Sequence, residues 1–263
     1  MKPKRIFHVD AFAEAPFTGN PAAVCLLEEE APPAWMQSIA REMNLSETAF
    51  VHREREGFRL RWFTPTVEMP LCGHATLAAA HVLWEEGSLE LDAPARFFTL
   101  SGELLANRRE QWVELNFPSK PVHEVAPRVG LLEALGVSAK VVGTDGSNDL
   151  VQLATEEEVI DAAPNFALLK TVCPFGVILT AVASLPEHDF VSRYFAPSLG
   201  VDEDPVTGSS HCALGPFWQA RLGRDIFVAK QVSQRGGIVR VEVLSERVLL
   251  SGKAVTILKG ELL

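Results

Sequence analysis

The chain has 263 residues, 47% of them hydrophobic, enough to bury a sizeable core as one large domain or two of about 130 residues. Its 34 acidic against 24 basic side chains give a formal net charge of −10, which argues against the basic face that nucleic acid requires. No apolar run reaches the roughly 18 residues that span a bilayer, so no membrane partner is expected. The basic start, Met1-Lys2-Pro3-Lys4-Arg5, runs into strand-like Ile6–Val9 instead of a signal-peptide core. Four scattered cysteines (Cys25, Cys72, Cys173, Cys212) fit reduced thiols, and a cytoplasmic protein is expected.

In chain order, residues 6–12 alternate as a strand, and Pro16–Pro21 forms a turn-rich loop. Ala22–Leu27 reads as a buried strand, and Pro32-Pro33 opens a helix through Met43. Strands follow at Thr48–Val51 and Phe58–Phe63. A helix is expected from Ala75 to Glu86, stopped by Gly87. Short strands at Leu89–Leu91, Phe97–Leu100, Glu103–Asn107 and Trp112–Asn116 close the first half. The proline-containing stretch Pro118–Pro127 marks a boundary, giving lobes 1–118 and 119–263, the last strand free to return to the first lobe.

The second half repeats the order: helix Pro127–Leu135, strands Lys140–Val142, Leu150–Ala154 and Gly176–Ala181, and helical pieces at Glu156–Ala162 and Asn165–Thr171. Arg193–Phe195 leads to a helix from Ser210 to Leu222. Strands Val239–Leu244, Arg247–Ser251 and Lys253–Leu258 finish the chain. Many short strands and few long helices define an α+β class.

One device occurs twice. Leu71-Cys72-Gly73-His74-Ala75-Thr76 and Val206-Thr207-Gly208-Ser209-Ser210-His211 each carry an extended run into a glycine and then into an apolar helix. The two glycines are 135 positions apart (208 minus 73), about half of 263. Small residues let a ligand approach the backbone, and the first N–H groups of a helix attract anions. The spacing predicts a duplicated, two-lobed protein holding a small acidic ligand.

Glu47, set among apolar neighbours, is a candidate acid/base group whose pKa desolvation would raise; otherwise it is a connector carboxylate. His74 opens the first device's helix and is either a neutral hydrogen-bonding group or a packing residue. His81, two turns on, is read as packing only. Asp204 before Pro205 either enters a site or forms an Asx turn, and Ser209 and Ser210 can cap the second helix. Cys72, His74, His211 and Cys212 could in principle ligate a metal, but their spacing matches no ligand pattern and no metal is expected. Motifs for nucleotide binding or α/β-hydrolase chemistry are absent.

Several segments together resemble the PhzF-like family of isomerases from phenazine biosynthesis. They are His8–Phe12, Phe17–Val24, Asn44–Phe50, Phe63-Thr64-Pro65 with Glu68 and Pro70, and Cys72–Thr76. In the second half come Glu203–Ser209, Gln231 with Arg235 and Gly237, and Ser251–Ala254. The resemblance implies two pseudo-symmetric lobes of the diaminopimelate epimerase type, each a mostly antiparallel sheet or barrel around a central helix, with the site in the cleft between them. It implies a homodimer working without metal or organic cofactor on a small carboxylate-bearing substrate. Glu47 matches the family's acid/base carboxylate, and His74, Asp204 and Ser209 match residues that hold and polarise substrate. Gly73 and Gly208, with Asn20, Thr207 and Ser210, are the implied binding positions, and Trp62, Phe63 and Phe217 are candidate lining residues. A two-thiol epimerase or racemase using Cys72 or Cys212, and a non-catalytic binder of small acids, are the alternatives.

Overall fold

Two helices that open at a glycine are apolar on nearly every side, and an all-round apolar helix must be enclosed. In the computed structural model, which describes residues 4–263, each is the central helix of one of two units. Met1–Pro3 of the basic start lie outside the described residues. The first unit comprises Met1–Asn116 with Ser251–Leu263, and the second Phe117–Leu250.

The first unit runs β1 (Lys4–Ala11), β2 (Asn20–Leu27), α1 (Pro33–Met43), β3 (Glu47–Glu54), β4 (Gly57–Phe63), β5 (Glu68–Met69), α2 (Gly73–Glu85), β6 (Ala95–Thr99), β7 (Gly102–Arg109) and β8 (Trp112–Pro118). The second runs β9 (His123–Glu124), α3 (Leu131–Leu135), β10 (Val141–Thr144), β11 (Asn148–Gln152), α4 (Glu156–Asp161), α5 (Phe166–Val172), β12 (Gly176–Val182), β13 (Phe190–Ala196), β14 (Val201–Asp204), α6 (Gly208–Leu222), β15 (Ile226–Gln231) and β16 (Gly237–Leu244). β8 runs past the boundary at Asn116 and β17 (Arg247–Gly252) crosses it again at Ser251, and β18 (Ala254–Leu262) belongs to the first unit.

The units share one topology. In the first, β1 pairs antiparallel with β2, β2 parallel with β3, β3 antiparallel with β4, and β4 antiparallel with β5 and parallel with β6. In the second the same relations join β10, β11, β12, β13, β14 and β15 in that order. β18 flanks β1 antiparallel as β9 flanks β10. The α+β class holds, with both units mostly antiparallel.

In the first unit α2 packs against β1, β2, β3 and β18. Ala75 and Leu77–Ala80 are fully buried, so the run of small residues sets a close helix-to-strand distance. α1 covers the outer face through Met36 and Ala40 against Cys25, Phe50 and Phe63. In the second unit α6 packs against β16, and Trp218 donates to Thr180 Oγ1 at 3.0 Å while stacking on Phe190 at 5.7 Å. α3, α4 and α5 cover the opposite face around Leu131, Val159, Leu169 and Phe195. No helix among the described residues is long and apolar enough to cross a membrane.

Some local expectations change. Leu89–Leu91 is not a strand, because the Gly87, Ser88 and Leu89 amides turn back to close the end of α2 on Trp84 and Leu83 carbonyls. α3 begins at Leu131, not Pro127, and α2 and α6 begin at the glycines themselves. β5, β9, β13, β14 and β15 have no counterpart among the expected strands, Arg193–Phe195 being read only as the lead into the second helix. Trp62, Phe63 and Phe217 are core residues, 1%, 3% and 4% exposed, and Phe63 meets Phe50 edge-on at 5.6 Å.

Candidate active site

In the first unit, three segments deliver polar side chains to one place. The β1–β2 loop turns at Gly19, at φ +70°, where a Cβ would collide with the Ala11 carbonyl and lie 2.9 Å from Ala13 Cβ. That turn puts Asn20, fully buried, at the start of β2. β3 pairs with β2 so that Glu47 lies opposite Ala22, and His74 is the second residue of α2.

His74 Nε2 lies 3.2 Å from Glu47 Oε2, with side-chain exposures of only 7% and 15%. Ser46 Oγ is 3.4 Å from the same ring nitrogen and donates to Asn20 Oδ1 at 3.3 Å. On the other side of the ring, Nδ1 meets Asn20 Nδ2 at 3.3 Å and Cys72 Sγ at 3.6 Å. Ser46 is the member of this cluster that the sequence did not single out as a site residue, and Cys72 entered there only as an alternative thiol or metal ligand. Ser46 reads as a mere cap next to Glu47, and its partners are distant in sequence.

Burial pushes the Glu47 carboxyl up, but hydrogen bonding and charge from His74, with further bonds from Ser46 and Cys72, outweigh it and leave the pKa below the ordinary 4.5. The expected upward shift is therefore corrected: desolvation is present, and the neighbours reverse it. The Cys72 thiol is pushed up, first by burial and then by the Glu47 charge. Burial opposes a charge on His74, whereas an ionised Cys72 or Glu47 beside it raises its pKa well above the usual imidazole value.

The second unit carries its own cluster. Asp204 ends β14 and accepts from the Thr207 hydroxyl, closing the turn before α6. Gln231 of β15 locks that turn: its Oε1 accepts from the Thr207 amide at 2.8 Å and its Nε2 donates to the Asp204 carbonyl at 2.7 Å. Gln231 is fully buried, and no motif pointed to this task. Gly208 opens α6, Ser209 is exposed on its first turn, and Ser210 is buried with its hydroxyl donating to the Thr207 carbonyl at 2.7 Å. Neither serine caps an amide. Both α2 and α6 start without a side-chain cap, at Cys72 and Thr207.

Glu47, Cys72 and His74 each offer a ligand atom, all within 4.8 Å of one another. Glu47 lies at one ring nitrogen and Cys72 at the other. In the second unit His211 Nδ1 bonds the Thr207 carbonyl at 2.8 Å, and burial takes its pKa down to about 4. Burial pushes Cys212 up to about 12. All four cysteines are unpaired.

The family model described as phenazine biosynthesis-like protein (PhzC-PhzF) matches residues 9–260. An uncharacterized isomerase of Halalkalibacterium halodurans is 47% identical over 259 residues, covering 98% of both chains. One from Pseudomonas aeruginosa is 48% identical over 262 residues, covering 97% of both. The crystal structure of a PhzF-family protein from Enterococcus faecalis superposes with a TM-score of 0.95 at 42% identity and 99% coverage of each chain. A probable proline racemase from Agrobacterium radiobacter, 12% identical with a TM-score of 0.65, shares the fold.

The duplicated α+β fold is shared with epimerase- and racemase-like structures, and the chain is an isomerase. Within that class it belongs to the phenazine biosynthesis-like PhzC/PhzF family.

Proposed function

We propose that the protein moves a proton between two positions of a small carboxylate-bearing substrate, with Glu47 as the group that removes and returns it. The buried Glu47–His74 pair carries the reading. A carboxylate kept ionised at neutral pH inside a water-poor site is in the form that can take up a proton, and once protonated it gives the proton back readily because its pKa is low. His74, 3.2 Å away, stabilises the charged form and can follow charge that develops on substrate. The uncapped first turn of α2 at Gly73 supplies amides suited to a substrate carboxylate.

The family resemblance assigns Asp204 and Ser209, with Thr207, Gly208 and Ser210, to holding and polarising the same substrate. It also supports a cytoplasmic homodimer that needs no metal or organic cofactor. Burial favours the carboxylate over a two-thiol route, since Cys72 and Cys212 are both pushed toward the protonated thiol.

The test is hydrogen exchange in deuterated water across small cyclic acids and amino acids, read by NMR. Wild type should exchange at least one carbon-bound hydrogen, and Glu47→Gln should lose about 100-fold or more while still binding. Thiol alkylation should leave the rate intact. Binding without exchange in the wild type would make the protein a carrier, and loss of exchange on alkylation would restore the thiol route.

A further inference from the structure

As metal ligands the sequence offered Cys72 and His74 together with His211 and Cys212. The fold groups them differently. Among the described residues, Glu47, Cys72 and His74 are the one set of three whose ligand atoms, one from each residue, all lie within 4.8 Å of one another.

Each of the three sits where regular structure begins. Glu47 is the first residue of β3, Cys72 precedes α2 with φ −146°, and His74 is second in that helix. Ligands carried at the start of a strand and a helix are held in place before any ion arrives. His74 Nε2 stands 3.2 Å from Glu47 Oε2, and Nδ1 stands 3.6 Å from Cys72 Sγ. Around a tetrahedral zinc, with bonds of about 2.0–2.3 Å, neighbouring donors lie about 3.3–3.6 Å apart. An ion uses a single ring nitrogen, so the third donor has to close from no more than 4.8 Å to about 3.5 Å. Glu47, with three side-chain torsions, has that freedom.

Charge and donor type point to zinc. The carboxylate and the sulfur, whose proton leaves to water, cancel both charges of the ion, and a neutral complex suits side chains that are only 7% (His74) and 15% (Glu47) exposed. A thiolate and an imidazole with one carboxylate make a zinc set, whereas magnesium and calcium take cages of oxygen.

We propose that Glu47, Cys72 and His74 form a zinc site, and that zinc bound there inhibits the protein by engaging the acid/base carboxylate. A carboxylate bonded to zinc has given the ion the electron pair that would take up a substrate proton. The inhibition rests on the reading of Glu47 as the group that moves the proton; the site itself does not.

The test is a titration of the full chain, in buffer stripped of metal, with zinc and with cadmium as its spectroscopic stand-in. One equivalent of zinc should bind by calorimetry, and cadmium should raise the ultraviolet charge-transfer band of a metal–thiolate bond. Magnesium and calcium should give no heat. Cys72→Ser should abolish the band and weaken zinc about 100-fold or more, since losing even an outer partner of a ligand costs about 10–100-fold. Cys212→Ser should keep both, because that thiol belongs to no such set. Glu47→Gln should weaken zinc yet keep the band, an arm that stands if Cys72→Ser does not fold. In the wild type, hydrogen exchange should fall in proportion to bound zinc and return when a chelator is added. A wild type that binds no zinc, or a band that survives Cys72→Ser, overturns the site. Bound zinc with undiminished exchange overturns the inhibition and removes Glu47 from the reaction while the site stands, so the two readings fail separately.

Discussion

Glu47 is buried and still ionises more easily than an exposed carboxylate, which fixes the direction of its pH behaviour. Its folded pKa lies below its unfolded value, so its ionisation adds stability above about 4.5 that is lost as pH falls through the folded value. The acid limb of the exchange rate should accordingly lie below the ordinary carboxylate range, not between it and neutrality. Denaturant midpoints of wild type and Glu47→Gln, followed downward from neutral pH, should converge as the carboxylate is protonated. A wild-type rate that halves near neutral pH on the acid side would contradict this assignment. The resemblance made Glu47 and His74 legible as residues. The sign of the shift was not legible, because it depends on His74 and Cys72 at the start of α2 and on Ser46 all reaching the carboxyl group, and apolar flanking sequence reports burial alone.

Between residue and fold lies a device used twice. Arg61 on β4 grips Glu68 on β5 with two bonds of 2.8 Å, and Arg193 on β13 grips Glu203 on β14 with bonds of 2.7 and 2.9 Å. Each guanidinium also lies over a phenylalanine two residues on, Phe63 at 5.4 Å and Phe195 at 4.8 Å. These forks hold the short strand that precedes α2 or α6, five residues before Gly73 and five before Gly208. Arg193 has a further duty, since its Nη1 donates to the Val159, Ile160 and Ala162 carbonyls at 3.2, 3.0 and 2.7 Å, closing α4. Lysine cannot reproduce a planar fork, so Arg61→Lys should cost about 1–3 kcal/mol, and Arg193→Lys more. Chemical denaturation of the two variants measures the order, and equal losses would remove the extra role of Arg193. The sequence carries this equivalence as Arg61-Trp62-Phe63 against Arg193-Tyr194-Phe195. A fixed spacing hides it, because those arginines are 132 apart (193 minus 61) and the glutamates 135 (203 minus 68). The slip is taken up by the bulge between Phe195 and Ala196 and the single turn Pro197–Leu199. β5 and β14 escaped notice for a related reason: two and four residues, rich in acid side chains, carry no alternating apolar pattern.

At the level of the whole chain, duplication was readable from two glycines and their helices, because a helix enclosed by strands needs small residues where it begins and apolar ones all round. Strand partners were less readable, since antiparallel neighbours far apart in sequence leave no periodic mark. β18 is the instructive case. It lies at the far end of the chain yet pairs with all eight residues of β1, from Lys4 opposite Leu262 to Ala11 opposite Ala254. Next to it Gly252 has no room for a Cβ, which would lie 3.0 Å from Leu77 and overlap Phe12. Lys253 binds Glu14 at 2.9 Å and Lys259 binds Glu86 at 2.8 Å, so both ends of the strand are tied to the first unit. Deleting Ser251–Leu263 would strip one ladder from β1 and expose an edge whose Phe7, Val9 and Ala11 are buried in the intact protein. A bare apolar edge recruits other strands, so the shortened chain should self-associate in light scattering and lose amide protection in β1. Protection in α6 and β12 of the second unit should outlast that in β1. A monodisperse truncated protein with β1 amides as slow as in the full chain would mean that β2 and α2 alone secure the strand, and that the returning segment has no part in building the unit that carries Glu47.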